Sequence, residues 1–448
     1  MITVDRLGCE HFRQDYGLRM AYVAGAMVKG IASAALVVRM GQAGHLAFYG
    51  SGGMRLQEVE AAIRHIQQSL SRGEPYGVNL LSNPSRPAEE TEMVDMLLRL
   101  GVRNVEASAF MQVTAALVKF RLRGMTGAPG RLAVPNRVIA KISRPEVAEA
   151  FLSPAPKPIV DRLLAEGQIS AEEAALASRL PVASDLCVEA DSGGHTDMGV
   201  MSVLLPTMVR LRDSLQQQYQ YQDPVRVGAG GGIGTPESAA SAFLLGADFI
   251  LSGSINQCTV EAGTSDAVKD MLQGMGVRDT AYAPAGDMFE MGSKIQVMRK
   301  GVFFPARANK LYDLWRSHAS LEQIDAATRT EVQDKYFRRS FDDAYRETRD
   351  HYMAEFPTEI ERAERSPKAK MALVFRWYFV HTMRLALEGS RDRHVDYQVH
   401  TGPALGGFNQ WVKGTALEDW RNRHVHTVAG HLMQGCAEYM NQRFRAFS

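Results

Sequence analysis

The sequence predicts an α/β protein: a closed (β/α)8 TIM barrel with a helical insertion and a C-terminal helical extension. Eight short apolar or small-residue segments alternate with longer amphipathic stretches, which is typical of parallel strands joined by helical crossovers. Eight such units favour a closed barrel, with an open doubly wound sheet as the alternative. The predicted strands are Ala21–Met27, Leu46–Gly50, Tyr76–Leu80, Asn104–Ala109, Val138–Ser143, Asp185–Asp191, Val225–Gly231 and Phe249–Ser254.

Composition restricts the class of protein. The 448 residues carry a formal net charge of +1, which gives no electrostatic reason to expect nucleic acid or an anionic membrane as partner. The four cysteines form no CxxC pair, which argues against a zinc cluster or a disulfide framework. Charged residues near the N-terminus and the lack of a long apolar run argue against a signal peptide and a membrane span. We therefore expect a cytoplasmic protein.

The domain organisation follows from changes in pattern along the chain. Residues 1–300 are predicted to form the barrel, with a helical insertion at about 144–184, and residues 301–448 to form an α-helical extension that binds substrate or carrier. An insertion after a barrel strand is expected on the catalytic face, as a lid or substrate wall. Near the C-terminus, Val428, Leu432, Cys436 and Met440 recur every four residues and predict a buried helical stripe.

A glycine-rich stretch at 228–237 is the most informative motif. It follows an apolar strand and precedes a helical segment, an arrangement in which the backbone can approach a phosphate closely. The dinucleotide pattern GxGxxG fails, because Ile233 and Thr235 stand where its last glycine would fall. Gly253 and Ser254 end the next predicted strand. Barrels often bind phosphate with the loops after strands seven and eight, so we expect a phosphate site here rather than a plain tight turn.

Polar residues at other strand ends indicate a reaction centre. His195 lies in a small-residue loop after the sixth predicted strand, where it could act as an acid or stabilise an enolate. The small residues 24–27 could support a flat ring, and Asn79 could present its amide to that ring. Lys141, inside the fifth strand, is costly to bury without an anionic partner.

These motifs resemble those of the nitronate monooxygenase and FMN-dependent enoyl reductase family. Most of the chain is similar to its PfaD-type branch, the trans-acting enoyl reductases of polyketide and polyunsaturated fatty acid synthases. The matching stretches are 143–148, 189–195, 253–269, 283–290, 304–312 and 396–414. The first-strand AGAM and Asp197 depart from the monooxygenase pattern and favour the PfaD-type branch.

The resemblance implies FMN as cofactor, NADPH or NADH as reductant, and an enoyl thioester on an acyl carrier protein of a synthase module as substrate. His195 would be the catalytic residue that polarises the thioester carbonyl or relays the proton. The oligomeric state is left open, and a homodimer is one candidate. The residues expected to bind the cofactor are Ala24, Gly25, Met27, Asn79, Lys141, Gly194, Gly231, Gly232, Gly253 and Ser254.

Three other readings remain open. The same fold could oxidise nitronates, although the insertion and the extension favour a larger, protein-bound substrate. An IMP-dehydrogenase-like barrel would need a cysteine nucleophile, for which Cys187 and Cys258 are poorly placed. The barrel could also be a non-catalytic flavin-binding scaffold. For carrier docking, the candidate basic clusters are Arg299-Lys300, Arg338-Arg339 and Arg421-Arg423.

Overall fold

The predicted barrel is confirmed. A computed structural model describes residues 1–84, 86–128 and 131–447, and eight parallel strands close on themselves in chain order. The last strand pairs with the first, with Tyr22 opposite Ile250. The strands are β1 (Tyr22–Ala24), β2 (Leu46–Tyr49), β3 (Gly77–Leu81), β4 (Asn104–Ser108), β5 (Arg137–Ile142), β6 (Asp185–Glu189), β7 (Arg226–Gly230) and β8 (Ile250–Ser252).

Helices cross between the strands, as the alternating pattern predicts. No helix among the described residues is long and apolar enough to cross a bilayer. The crossover helices are Ala34–Gln42, Leu56–Ser69, Pro87–Arg99, Ala115–Leu122, Pro145–Leu152, Met201–Tyr219 and Pro236–Leu244, and a short helix, Ser254–Gln257, follows β8.

An N-terminal helix, Glu10–Tyr16, contributes apolar side chains to the barrel core. The ring of Phe12 stacks on Phe249 with centroids 4.2 Å apart, and both residues are fully buried. Beside them the Tyr16 hydroxyl donates to Asp185 at 2.6 Å, and the same carboxylate pairs with Arg226. Burial lowers the pKa of Arg226, but Asp185 outweighs it and raises that pKa, so Arg226 keeps its charge in the core.

The insertion lies at the opposite end of the barrel from the one predicted. The helix Pro145–Leu152 is the ordinary crossover after β5, and the extra chain follows it, at the amino ends of the strands. There its helices contact the segment that leads from Leu122 to β5, and the Gly124 amide donates to Glu173 at 2.6 Å. The prediction of a lid was wrong, because the helix Pro145–Leu152 already returns the chain to the amino end of the barrel before the extra residues begin. The insertion helices are Lys157–Ala165, Ala171–Leu176 and the 3-10 turn Ala177–Arg179.

The chain divides into two compact units whose bounds differ from the predicted boundary at 300/301. The first unit comprises residues 1–191, 198–263 and 410–448, and the second comprises 192–197 and 264–409. The physical reason is that the C-terminal helix Val425–Phe447 packs on the barrel helix Pro236–Leu244. Its predicted stripe is confirmed, with all four side chains buried.

The second unit combines a small sheet with a helical core rich in aromatic residues. Its strands at Thr280–Pro284 and Lys294–Met298, which the sequence did not predict, pair antiparallel, and Gly194–His195 pairs with the second of them. The helices bury a cluster in which Phe289, Phe304 and Phe337 are fully covered. The main helices are Asp266–Leu272, Phe304–Ser317, Ala326–Glu331, Val332–Phe337, Phe341–Glu355, Pro357–Arg365, Pro367–Glu388 and Pro403–Trp411.

Replacing Asp185 with alanine should destabilise the barrel strongly. The substitution removes the buried carboxylate that pairs with Arg226 and accepts from the Tyr16 hydroxyl, and the loss of one member of a buried ion pair typically costs about 3–5 kcal/mol. Asp15 pairs with the same arginine but has a side chain 47% exposed, so Asp15→Ala should cost only about 0–1 kcal/mol. Urea unfolding of both variants measures the difference. Equal losses would contradict the role of the buried carboxylate.

Candidate active site

An ionic cluster occupies the barrel near the carboxyl ends of β4, β5 and β6. Lys141 Nζ lies 3.1 Å from Glu189 Oε1, and the lysine side chain is 15% exposed. Burial lowers the pKa of Lys141, but Glu189 and Glu106 outweigh it and raise that pKa above its ordinary value. Lys141 is therefore a charged lysine, and the structure supplies the anionic partner that its burial requires.

Glu106 is a site residue that the sequence analysis missed. It is fully buried on β4, and burial raises the pKa of its carboxyl group while Lys141 opposes that rise. Its Oε2 accepts a hydrogen bond from the Ala26 amide at 3.1 Å. Glu106 thus joins the lysine to the loop after β1. The available signal was a single acidic residue within a short strand.

Asn79 is buried in the middle of β3 and belongs to the same network. Its Nδ2 donates to the Glu106 carbonyl at 3.0 Å and to Ser108 Oγ at 2.9 Å. Ser51 Oγ in turn donates to the Asn79 carbonyl at 2.6 Å. The predicted site residue therefore links the loop after β2 to the strands β3 and β4.

The loop after β1 requires its small residues. Ala24 ends the strand opposite Ser252, and the Gly25 amide donates to the Ser252 carbonyl at 3.0 Å. A Cβ at Gly25 would lie 2.5 Å from Leu251 Cδ2, so a larger residue would require Leu251 to shift. Met27 is half-buried farther along this loop.

The two glycine loops meet after β7 and β8. Ser252 Oγ donates to the Ile233 carbonyl at 3.2 Å and ties one loop to the other. Gly231 has φ +92°, and a Cβ there would lie 2.5 Å from the Ala190 carbonyl oxygen. At Gly232 and Gly253, by contrast, no described neighbouring atom lies within 4 Å of where a Cβ would stand. These two backbone positions border open space in which a ligand could bind.

His195 and Gly194 belong to the second unit. They form the short strand that pairs with Ile295 and Gln296, and Gly194 has φ +85°. His195 Nε2 lies 2.9 Å from Asp287 Oδ1. The sequence predicts His195 on the same face of the barrel as the glycine loops. It carries no local signal for Asp287, which is 92 residues away along the chain.

The predicted basic clusters are engaged in internal contacts. Arg339 pairs with Glu347 and stacks over Trp377, and Arg338 lies 4.0 Å from Asp396. Arg423 is 1% exposed, so the prediction that it could dock a carrier was wrong. It is buried because it donates to backbone carbonyls of its own turn, including that of Leu417 at 2.7 Å.

Cys187 is unsuited to nucleophilic catalysis. It is fully buried on β6, and burial raises the pKa of its thiol far above the ordinary range. A nucleophilic cysteine requires a thiolate that substrate can reach. This geometry argues against the IMP-dehydrogenase-like reading.

Comparison with solved structures decides the family. The chain superimposes on the enoyl reductase domain of MlnA, from the macrolactin biosynthesis cluster of Bacillus amyloliquefaciens, with a TM-score of 0.95. The two sequences are 46% identical, and the match covers 99% of this chain and 100% of that domain. This chain belongs to the enoyl reductase family of polyketide and polyunsaturated fatty acid synthases.

Curated relatives of this enoyl reductase family agree. The polyketide biosynthesis protein PksE of Bacillus subtilis is 55% identical over 446 residues, which cover 99% of this chain and 58% of PksE. ThaF of Burkholderia thailandensis is 52% identical over 442 residues, or 98% of this chain and 38% of ThaF. A component of the polyunsaturated fatty acid synthase of Thraustochytrium is 44% identical over 421 residues, or 93% of this chain and 28% of that component. The chain thus spans less than two thirds of these relatives.

Two further comparisons concern parts of the architecture. Residues 318–397 match the family model described as the inserted helical domain of an acyl-carrier-protein S-malonyltransferase. That segment lies within the second unit. FabK of Thermotoga maritima superimposes with a TM-score of 0.58 at 17% identity, which shows a shared fold. Enoyl reductases are oxidoreductases that act on CH–CH groups.

Replacing Lys141 with methionine should destabilise this enoyl reductase more at pH 8 than at pH 5. Without the lysine, only the hydrogen bonds from the Ala26 amide and from Asn79 still oppose the burial that raises the pKa of Glu106. When a carboxyl group has a higher pKa in the folded than in the unfolded state, the folded protein loses stability as the pH rises through the folded-state pKa. We expect a cost of about 3–5 kcal/mol at pH 8 and a clearly smaller one at pH 5.

The control is Lys157→Met, which breaks a surface ion pair with Asp161. Its effect should stay within about 1 kcal/mol at both pH values. Urea unfolding at the two pH values provides the measurement. A loss for Lys141→Met that does not change with pH would contradict the coupling to Glu106.

Proposed function

We propose that this protein is an FMN-dependent enoyl reductase that consumes NADPH or NADH. It acts in trans on α,β-unsaturated thioesters carried by an acyl carrier protein in polyketide or polyunsaturated fatty acid synthesis. The observation that carries the proposal is the match of the whole chain to an enoyl reductase domain at a TM-score of 0.95. The open glycine positions and the ionic cluster of the barrel support it.

The two glycine loops suit the phosphate of FMN. Gly232 and Gly253 both border open space, and the hydrogen bond between Ser252 and Ile233 fixes the spacing of the loops. Backbone N–H groups at such turns donate hydrogen bonds readily to a phosphate. A side chain at either glycine would fill the space that the phosphate needs. Gly231 and Ser254 complete these loops in the proposal. When bound, FMN would supply hydride transfer between a nicotinamide and the β-carbon of the enoyl group.

The loop after β1 suits the flat ring of the cofactor. Ala24 and Gly25 offer backbone without bulk, and Met27 would border the ring. Asn79 and Lys141 are held rigidly by Glu106 and Glu189, so they would orient a polar ring edge without themselves moving. In this proposal His195 supplies the proton that completes reduction at the α-carbon. Gly194 provides the backbone conformation that the short strand Gly194–His195 requires.

The relatives support the choice of substrate and partner. PksE and ThaF are named for polyketide biosynthesis, and another relative is part of a polyunsaturated fatty acid synthase. Such systems carry acyl chains as thioesters on carrier proteins. The helical segment that resembles part of an acyl-carrier-protein transferase supports a carrier as the partner.

Anaerobic absorption spectra of the purified protein loaded with FMN test the activity. Addition of NADPH should bleach the flavin band, and an enoyl thioester should then restore it. The same enoyl group on a carrier protein should restore it at lower substrate concentration than a pantetheine thioester does. A protein that takes up no FMN would overturn the cofactor assignment. Bleaching that only oxygen reverses would favour an oxidase or a scaffold.

Replacing Gly253 with alanine should weaken FMN binding by about tenfold or more. The methyl group would occupy the space that the phosphate needs, while φ at this position is −119° and allows any residue. Gly430→Ala is the matched control, because a Cβ there also meets no described neighbour within 4 Å. Equilibrium FMN titration compares the two variants. Equal affinities would place the phosphate elsewhere.

A further inference from the structure

The second unit holds His195 through one hairpin. The antiparallel strands at Thr280–Pro284 and Lys294–Met298 form this hairpin, and its second strand pairs with His195 through Ile295. The turn between the two strands carries Asp287, whose Oδ1 lies 2.9 Å from His195 Nε2. Backbone pairing and side-chain bonding therefore come from the same supersecondary element, which fixes both the position and the rotation of the imidazole.

The chemistry of Asp287 determines which ring nitrogen carries hydrogen. Desolvation by the surrounding protein raises the pKa of Asp287, but the hydrogen bond and the charge of His195 outweigh it and hold that pKa below its ordinary value. An ionised carboxylate can only accept, so Nε2 of His195 must be the donor. The neutral ring is then the Nε2–H tautomer, and the proton that it gains and loses is the one on Nδ1.

The neighbouring histidine does not disturb this assignment. His400 has its ring centroid 6.4 Å from that of His195, and burial, together with the charge of His195, lowers its pKa to about 4. Gln398 Nε2 donates to His400 Nε2 at 2.7 Å, which occupies that nitrogen as an acceptor. His400 therefore stays neutral near pH 7 and does not compete for Asp287.

We propose that Asp287 is a positioning residue that fixes the Nε2–H tautomer of His195 and so makes Nδ1 the atom that delivers the proton. The inference rests on the proposed reduction of an enoyl thioester. In the protonation step the Nδ1–H bond breaks and a C–H bond forms at the α-carbon, whose electron pair comes from the enolate. The imidazolium becomes a neutral ring that still donates from Nε2 to Asp287. The hydride at the β-carbon comes from the proposed cofactor chemistry.

The pair is accessible to a substrate and to mutagenesis. The side chain of His195 is 48% exposed and that of Asp287 is 66% exposed. Substitution of Asp287 therefore leaves no buried cavity, and the variants should fold. Asp313→Ala is the matched control, because Asp313 is an exposed carboxylate on a helix of the same unit.

The first measurement is the tautomer of His195 in the full-length protein. Long-range ¹H–¹⁵N correlation spectra of protein labelled at histidine nitrogen distinguish the two neutral tautomers, with His195→Gln identifying the signal. We expect the Nε2–H form in the native protein and in Asp313→Ala, and a mixture of both forms in Asp287→Ala. An Nδ1–H tautomer in the native protein, or an unchanged tautomer in Asp287→Ala, would overturn the proposal.

The second measurement separates the half-reactions of the FMN-loaded protein by stopped flow. Reduction by NADPH should be unchanged in Asp287→Ala, while the limiting rate of reoxidation by an enoyl thioester should fall by about tenfold to hundredfold, part of the ~10²–10⁴ that a positioned acid contributes. Asp287→Asn, which keeps the shape but can donate toward the ring, should show the same defect. Equal reoxidation rates would overturn the positioning role. A native protein that enoyl thioesters never reoxidise would instead reject the proposed function, and the tautomer result would still decide the role of Asp287.

Discussion

The structure of the candidate site depends on one buried cation. Lys141 lies within the barrel, where an unpaired charge would be very costly, so the surrounding strands must supply carboxylates. Glu189 does so by direct contact and Glu106 by its nearby charge. Glu106 also accepts from the Ala26 amide, and Asn79 donates to the Glu106 backbone. Because these bonds share members, the loop after β1 and, through Ser51 and Asn79, the loop after β2 take their positions from the same ionic group.

The amino end of the barrel is filled by packed side chains, whereas the carboxyl end leaves space open. At the amino end, the aromatic rings of Phe12 and Phe249 stack in an apolar core, and the buried charge of Arg226 is matched by Asp185. At the carboxyl end, glycines at 232 and 253 leave space uncovered. The insertion packs at the amino end, so it adds to the closed end of the barrel. Its position therefore gives no support to the expectation of a large, protein-bound substrate. That expectation depends on the relatives.

The parts of the fold that were predictable from sequence are those with local signals. Buried parallel strands are short apolar runs, and glycines at 231, 232 and 253 stand where the chain turns or leaves space, so both could be recognised. Glu106 has no spacing signal, because a lone acidic residue in a strand also occurs for other reasons. Asp287 meets His195 only through a hairpin whose strands carry polar residues. The observed units differ from the predicted boundary at 300/301 for a similar reason, because the last helix returns to the barrel through a long-range contact.

The pairing of His195 with Asp287 also bears on the direction of the chemistry. The Asp287 carboxylate holds the imidazole of His195 by a hydrogen bond, and that bond and the charge of His195 lower the pKa of Asp287. Reduction of a carbon–carbon double bond must add a proton as well as a hydride, so it needs a loaded acid. An oxidase that passes electrons to oxygen has no such requirement at the substrate carbon. An imidazole that Asp287 holds in position therefore suits the proposed reductase, which must deliver that proton.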